Sequence, residues 1–190
     1  LHWPGGIIEG CKVGIPGWIN VENAVAASAI ALTYGLVPGK VRHALGTFQG
    51  VKRRFDIHVN RPGCSYIDDY AHHPTEIKAT LKAAKEFPHN KIRCIFQPHT
   101  YSRTAALLDD FASSLESCDE AVIADIYPAR ETDTLGMSAE LLAGEISKGK
   151  YIGGFEETAE YIKSIAAPGD VIIIMGAGDV NKIIDILSSA

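Results

Sequence analysis

Short apolar runs alternate with amphipathic segments over most of the chain. The runs Ile92–Phe96 and Val171–Met175 have the length and composition of buried strands. In the segment before Ile92, the apolar residues Ile77, Leu81 and Ala84 recur at the spacing of a single helical face. Strands separated by helices pair in parallel through right-handed crossovers. The pattern therefore predicts an α/β fold with a mostly parallel, Rossmann-like open sheet and helices on both faces.

Two further strands are predicted before this alternation, over residues 54–59 and 64–68. The residues between them, Asn60-Arg61-Pro62-Gly63, include the proline and glycine of a tight reversal, so this amino-terminal pair is expected to form an antiparallel hairpin. The other strands are predicted over residues 92–96, 121–126, 151–152 and 171–175, and the helices of this region over residues 76–87, 105–115, 139–147, 158–166 and 180–187.

The beginning of the chain has a different texture. Glycine and proline are frequent in the first seventeen positions, and helices are predicted over residues 21–34 and 38–45. The segment from Gly46 to Gly50 has the composition of a hinge. We therefore predict two domains, residues 1–46 and residues 47–190.

Composition narrows the class of protein. With 190 residues, 46% hydrophobic and 22% charged, the chain is typical of a soluble globular protein. Its formal net charge of −5 argues against a general nucleic-acid surface, although Lys52-Arg53-Arg54 is a local basic group that could meet phosphate. No apolar stretch has the length of a membrane span. The four cysteines have neither zinc nor redox spacing, so free thiols and a cytoplasmic location are expected.

The densest group of reactive side chains follows the predicted strand at 64–68. The run Asp68-Asp69-Tyr70-Ala71-His72-His73-Pro74-Thr75-Glu76 places two acids, a phenol and two imidazoles before a helix, and proline is typical of a first helical position. Simpler explanations exist for two of these residues. Asp68 is also explained as a turn cap and His73 as a structural residue.

Polar loops follow three other predicted strands: Gln97-Pro98-His99-Thr100-Tyr101-Ser102-Arg103-Thr104, Tyr127-Pro128-Ala129-Arg130-Glu131 and Gly176-Ala177-Gly178-Asp179. The last lacks the third glycine of a dinucleotide fingerprint and predicts a tight strand-to-helix turn. The carboxyl ends of parallel strands share one edge, where open α/β sheets bind ligands. We therefore expect the four loops to converge on one site.

The motifs at 68–76 and 96–104, together with those at 48–55 and 125–131, closely resemble the UDP-N-acetylmuramate:L-alanine ligases of the Mur ligase family. The sequence holds no Gly-x-x-x-x-Gly-Lys-Ser/Thr phosphate loop, which that family carries in its central domain, and it begins at Leu1 rather than at methionine. The resemblance therefore implies the carboxyl-terminal part of such an enzyme. It implies the end of the central ATPase domain in residues 1–46 and the amino-acid-binding domain in residues 47–190.

By resemblance, the enzyme uses ATP and Mg²⁺, bound mainly by domains that this sequence lacks. The carboxylate of UDP-N-acetylmuramate is phosphorylated, and the amine of L-alanine displaces phosphate from the acyl phosphate in peptidoglycan synthesis. The fragment alone is expected to be inactive. Its implied partners are L-alanine and UDP-N-acetylmuramate, with no nucleic acid and no membrane.

The resemblance also implies roles for residues. His72 is the candidate for handling an amine proton, with Arg54 and Asp69 as further catalytic residues near the nucleotide. Asn20 and Asn23 match adenine-reading positions, although without the resemblance they read as a helix cap and a polar-face residue. The implied substrate contacts are Tyr70, His72, His99, Arg103 and Arg130.

Two positions depart from the pattern of many relatives. Ile19 stands where they have histidine, and Thr100 where they have arginine. A contact near the nucleotide and one cationic contact to substrate are therefore missing or replaced. Arg103 remains, and its guanidinium suits a two-pronged contact with the alanine carboxylate.

Three other functions stay open on the sequence. A murein-recycling tripeptide ligase of the same family is one. A metal-dependent hydrolase is another, with Asp and His side chains as ligands, although no metal site is expected here. A non-catalytic binding module is the third. The hydrolase would draw its ligands from Asp68, Asp69, His72, His73 and His99.

Overall fold

The computed structural model describes residues 1–59, 63–133 and 135–189. The chain divides into two compact units, Leu1–Val51 and Lys52–Ala190. The assignment of residues 1–46 to the end of an ATPase domain stays a prediction. Of the predicted reversal Asn60-Arg61-Pro62-Gly63, only Gly63 is among the described residues.

The first unit contains a short hairpin and two helices. Strands β1 (His2–Trp3) and β2 (Gly6–Ile7) pair antiparallel, and helices α1 (Trp18–Thr33) and α2 (Pro38–Thr47) follow. Ile8, Leu32 and Val41 form its buried core. The hairpin was not predicted, because strands of this length have too few residues for a periodic pattern. Helix α1 begins before the predicted residue 21, directly after Gly17.

The second unit is built on a six-stranded sheet. Its strands are β3 (Asp56–Val59), β4 (Ser65–Asp69), β5 (Ile92–Phe96), β6 (Glu120–Ile123), β7 (Gly149–Tyr151) and β8 (Val171–Met175), in the spatial order β3-β4-β8-β5-β6-β7. β3 and β4 pair antiparallel, and every other neighbouring pair is parallel. The predicted mostly parallel sheet with an amino-terminal hairpin is confirmed.

Six helices of the second unit surround this sheet: α3 (Pro74–Ala84), α4 (Tyr101–Ala106), α5 (Leu108–Leu115), α6 (Ala139–Gly144), α7 (Phe155–Ile165) and α8 (Ile183–Ser188). A 3₁₀ turn, Val180–Lys182, precedes α8. The single helix predicted over 105–115 is wrong. The chain leaves helical geometry at Leu107, where φ is −120°, so α4 ends before this residue and α5 begins after it.

Alternate residues of the strands supply two separate cores, one on each face of the sheet. Ile173 and Phe96 join a cluster with α3, α5 and α6, whereas Ile174 and Ile95 join a cluster with α7 and α8. This division follows from the two-residue period of a strand, which sends neighbouring side chains to opposite faces. Strands buried on both faces read as continuous apolar runs, which is why the sequence reveals them so clearly.

The register of the parallel strands places their carboxyl ends side by side. Met175 of β8 lies opposite both Asp69 of β4 and Phe96 of β5, and Phe96 lies opposite Ile123 of β6. The loops that follow these strands therefore leave the sheet at the same edge, as predicted. Within the described residues, no helix is both long and apolar enough to cross a lipid bilayer.

Candidate active site

The first loop at this edge is shaped by the start of α3. His73 occupies the N-cap position, where its Nδ1 accepts a hydrogen bond from the backbone N–H of Thr75 at 3.3 Å. Pro74 follows as the first helical residue, as predicted. The His73 ring is therefore occupied in capping the helix that follows it.

His72 has a different environment from its neighbour. Its Nδ1 lies 2.9 Å from the carbonyl oxygen of Tyr70, which can only accept a hydrogen bond, so the neutral ring carries its proton on Nδ1. The Glu76 carboxylate accepts the His72 backbone N–H at 3.0 Å and lies 3.4 Å from Nδ1. Nε2 is therefore left as the proton-accepting atom of the ring.

The second loop brings another imidazole towards the first. The centroids of the His72 and His99 rings lie 6.2 Å apart, and the Tyr127 ring stacks on His99 at 5.4 Å. Burial lowers the pKa of His99, and the nearby charges of Arg103 and His72 act in the same direction. His99 is therefore held in its neutral form at physiological pH.

Four polar atoms at this edge are buried without a hydrogen-bond partner among the described residues. Arg53 Nε and Asp68 Oδ1 belong to two side chains that face each other as an ion pair, whereas Nδ1 of His99 and Nη1 of Arg103 lie in the second loop and its helix. An orphan polar atom of this kind costs free energy in the folded protein unless something else satisfies it. Such atoms at the edge where the loops converge indicate a binding place for a polar ligand. A guanidinium there suits an anionic group, above all a carboxylate.

The third loop supports the second. The backbone N–H of Thr100 donates to Tyr127 at 2.8 Å, and the Tyr127 N–H donates to Pro98 at 2.8 Å. Thr100 has a φ of 70°, an unusual conformation for a β-branched residue. Arg130 is exposed. Glu131 accepts hydrogen bonds from Ser102, a contact that no feature of the sequence indicates.

Arg54 and its neighbour Arg53 both lie over the Tyr70 ring, with guanidinium carbons 5.4 Å and 4.9 Å from its centroid. Arg54 is exposed and forms an ion pair with Glu76 at 4.0 Å. Arg53 instead donates to the carbonyl oxygens of Gly176 and Gly178. Nothing in the sequence distinguishes the roles of these two adjacent arginines.

Asp69 is buried and binds backbone rather than another side-chain charge. Its carboxylate accepts the N–H of Phe55 at 2.9 Å and that of Ala71 at 2.8 Å. Burial raises its pKa, and these two hydrogen bonds oppose that rise. Asp68 is also buried and lies 3.6 Å from Arg53 Nε. Both acids therefore hold the first loop in shape, and the catalytic role of Asp69 stays a prediction.

The fourth loop is the predicted tight turn after β8. Gln97 joins it to β5, since its Nε2 donates to Asp179 at 3.1 Å and its Oε1 accepts the N–H of Val180 at 3.1 Å. A Cβ atom on Gly178 would lie 2.3 Å from Gln97 Oε1 and 2.7 Å from the Tyr127 ring. Close approach thus explains this glycine.

The two predicted adenine-reading residues belong to the first unit. Asn20 lies in the first turn of α1 and donates from Nδ2 to the Pro16 carbonyl at 2.5 Å. It is not the helix cap, because α1 begins at Trp18 after Gly17. Asn23 is exposed. Their three-residue spacing puts both on one side of α1, and a role in binding adenine stays a prediction.

A metal centre was one alternative for the Asp and His side chains. Among the residues that the structure describes, no group of three or more histidines, cysteines, aspartates or glutamates is placed to hold a metal ion. Asp69 and His73 are engaged with backbone N–H groups instead. The geometry of these residues does not favour the hydrolase hypothesis.

Comparison with known proteins adds a second line of observation. Residues 53–178 match the family model described as "Mur ligase, glutamate ligase domain". The chain is 49% identical over 176 residues to a UDP-N-acetylmuramate--L-alanine ligase of Clostridium acetobutylicum, covering 90% of this chain and 38% of that protein. A ligase of the same name from Alkaliphilus metalliredigens is 46% identical over 190 residues, covering 98% and 41%. The chain thus spans about two fifths of the length of these relatives.

Solved structures show the same likeness. A UDP-N-acetylmuramate-alanine ligase from Thermotoga maritima matches with a TM-score of 0.77 and 30% identity, over 93% of this chain and 38% of that one. A murein peptide ligase from Psychrobacter arcticus matches with a TM-score of 0.67 and 25% identity, over 93% and 38%.

Proposed function

The chain belongs to the Mur ligase family, and we propose that it is the amino-acid-binding portion of an ATP-dependent enzyme that joins L-alanine to UDP-N-acetylmuramate in the cytoplasm. The names of its relatives support this substrate pair, and among the solved structures the alanine ligase matches at a higher identity and TM-score than the murein peptide ligase. Tyr70, His72 and Arg103 would form the pocket for L-alanine.

The proposal rests mainly on one observation: a cationic hydrogen-bond donor and a proton-accepting imidazole lie at the same edge of the sheet. Arg103 offers a buried donor without a partner among the described residues, and the neutral form of His72 offers Nε2 as a proton acceptor. A zwitterionic amino acid needs both, because its carboxylate requires a cation and its amine must lose a proton before it attacks. His99, neutral and near both residues, adds a polar contact without repelling the ammonium group.

The chemistry follows from the weakness of a carboxylate as an electrophile. ATP, when bound, supplies the phosphoryl group that converts the lactyl carboxylate of UDP-N-acetylmuramate into an acyl phosphate and leaves ADP. The amine nitrogen of L-alanine then forms the new C–N bond, the C–O bond to phosphate breaks, and His72 Nε2 takes the amine proton. Arg103 would hold the alanine carboxylate so that the amine faces the acyl carbon.

Some of the described residues suit the binding of a nucleotide, and others that a nucleotide site needs are absent from the described part of the chain. Arg54 is exposed at the edge of the sheet and could contact phosphate. Among these residues there is no ligand set for Mg²⁺, and the sequence has no phosphate-binding loop. We therefore assign no step to residues of this chain that would require them to hold the metal.

A chimeric ligase tests the proposal. It joins this chain to the part of the Clostridium acetobutylicum relative that the chain does not match, and its folding is checked by circular dichroism. We expect ADP, phosphate and UDP-N-acetylmuramoyl-L-alanine to form in equal amounts, dependent on L-alanine. Faster use of the tripeptide L-Ala-γ-D-Glu-meso-diaminopimelate would favour the murein-recycling ligase. A folded chimera that forms neither product would contradict both assignments.

A further inference from the structure

We infer that Glu131 is a positioning residue for the amino-acid pocket, because its carboxylate caps helix α4 and so fixes the place of Arg103. Glu131 lies in the loop after β6, whereas Arg103 lies on the helix after β5. The effect on binding of the L-alanine carboxylate rests on the proposed function, whereas the effect of Glu131 on the position of Arg103 does not.

Helix α4 has no cap from its own sequence. Thr100 occupies the N-cap position with a φ of 70° and makes no side-chain capping hydrogen bond. Glu131 supplies what is missing, since Oε2 accepts the backbone N–H of Ser102 at 2.9 Å and Oε1 accepts its hydroxyl at 2.6 Å. Free N–H groups in a first turn favour a negative partner. The bonds from Ser102 lower the pKa of Glu131, so the carboxylate is charged at neutral pH.

The loop that carries Glu131 also holds the rest of the pocket. Tyr127 is joined to the second loop by two backbone hydrogen bonds, and its ring stacks on His99. The Glu131 N–H donates to Pro128 at 2.9 Å, which closes the loop on itself. One loop therefore supports two of the residues whose buried atoms lack partners: His99 through Tyr127, and Arg103 through Glu131.

Arg103 depends on this support because its Nη1 has no hydrogen-bond partner within residues 1–59, 63–133 and 135–189 to hold it in place. The backbone of α4 decides where that donor lies, and Ser102 is the adjacent residue. A displacement of about 1 Å at a binding group can cost roughly a hundredfold in rate. Loss of the cap should therefore affect L-alanine more than the other substrates.

The chain contains a matched control. Glu116 accepts the backbone N–H of Ser147 at 2.6 Å and its hydroxyl at 2.6 Å, which repeats the chemistry of the Glu131–Ser102 pair. Glu116 follows α5 and precedes β6, so it lies at the amino-terminal edge of the sheet, away from the pocket. Removing either glutamate deletes a backbone and a hydroxyl hydrogen bond from a serine, and removing Glu131 also deletes its contacts with the Thr100 side chain and the Tyr101 N–H. Only the Glu131 deletion should reach Arg103.

The experiment has a structural part and a kinetic part. NMR spectra of the 190-residue chain compare Glu131→Ala with Glu116→Ala, and kinetics of the chimeric ligase follow each substrate in turn. We expect Glu131→Ala to shift the Arg103 Nε–H and His99 ring signals and to raise the KM for L-alanine roughly tenfold or more, with the KM for ATP unchanged. Glu131→Gln, which keeps an acceptor oxygen, should fall between. Glu116→Ala should change signals near Ser147 and leave every KM unchanged.

An unchanged KM for L-alanine in Glu131→Ala, or an equal rise in Glu116→Ala, would overturn the inference. If the unsubstituted chimera does not use L-alanine at all, the proposed function fails, and the NMR spectra alone decide the positioning role. Signals that move at Arg103 and His99 then support it. Changes confined to Ser102 overturn it.

Discussion

Arg53 donates a 2.7 Å hydrogen bond from Nη2 to the carbonyl oxygen of Gly176. This bond joins the segment before β3 to the loop after β8. Arg53 also donates from Nη1 to Gly178 at 3.1 Å, and its Nε lies 3.6 Å from Asp68. Arg54, next to it, has a side chain that is 54% exposed. Adjacent arginines thus have separate roles: Arg53 maintains the fold of the edge, and Arg54 is free to meet a ligand.

Substitution of each arginine should separate these roles. We expect Arg53→Ala to lower the free energy of unfolding by about 1–3 kcal/mol, because two carbonyl groups and a buried carboxylate lose their partner. Arg54→Ala should change it by less than about 0.5 kcal/mol. Urea denaturation of the chain measures both. Equal destabilisation by the two substitutions would show that the distinction is wrong.

Asp69→Asn tests whether that residue is structural. Asn has only one acceptor oxygen, so its NH₂ group would face one of the N–H donors of Phe55 and Ala71. We expect a loss of about 1–3 kcal/mol in unfolding free energy. Unchanged stability with a large fall in kcat of the chimeric ligase would instead favour a catalytic role.

The same variant has a predicted pH dependence. Burial raises the pKa of Asp69 above its unfolded value, so the folded protein binds this proton more readily than the unfolded chain. The stability that Asp69 contributes is therefore greatest below the unfolded pKa and falls as pH rises through the folded one. The difference in unfolding free energy between the parent chain and Asp69→Asn should narrow over that range. A difference that widens would contradict the assignment of burial as the dominant cause.

Much of the fold follows from the sequence, because the central strands are buried on both faces and are mostly apolar. Val171–Met175 and Ile92–Phe96 were predicted with the observed bounds. The break at Leu107 was not predictable, since leucine suits a helix and the local sequence contains no proline or glycine to mark an end. The β1–β2 hairpin is too short to leave a pattern.

Some features of the candidate site could also be predicted from the sequence, and others could not. The clustering of His72, His99 and Arg103 follows from strand order, because parallel strands deliver their following loops to one edge. The supporting contacts of Arg53 and Glu131 do not, since each reaches a residue far away in sequence. Nothing in a local motif specifies which of two adjacent charged residues turns inward.

Gly178→Ala should disturb the pocket through its neighbours. The added Cβ would lie 2.3 Å from Gln97 Oε1 and 2.7 Å from the Tyr127 ring. We expect a loss of about 1–3 kcal/mol in unfolding free energy. Gly144→Ala is the control, because a Cβ there meets nothing within 4 Å, and it should leave stability unchanged or raise it slightly. Equal effects of the two substitutions would contradict the close-approach explanation.

Arg103 and Arg130 were both assigned to substrate, and the structure distinguishes them. Arg103 has a buried Nη1 without a partner, whereas Arg130 is exposed. We expect Arg103→Ala to raise the KM of the chimeric ligase for L-alanine by roughly a hundredfold, as for loss of a charged hydrogen bond of about 3 kcal/mol. Arg130→Ala should change it less than about threefold. Initial rates over a range of L-alanine concentrations decide between them.

The most direct measurement is an experimental structure of the chimeric ligase with UDP-N-acetylmuramoyl-L-alanine bound. We predict that the alanine carboxylate lies about 3 Å from Arg103 Nη1, with the amide nitrogen facing His72 Nε2. An alanyl group bound elsewhere, with Arg103 still lacking a partner, would contradict the assignment of this sheet edge as the amino-acid pocket.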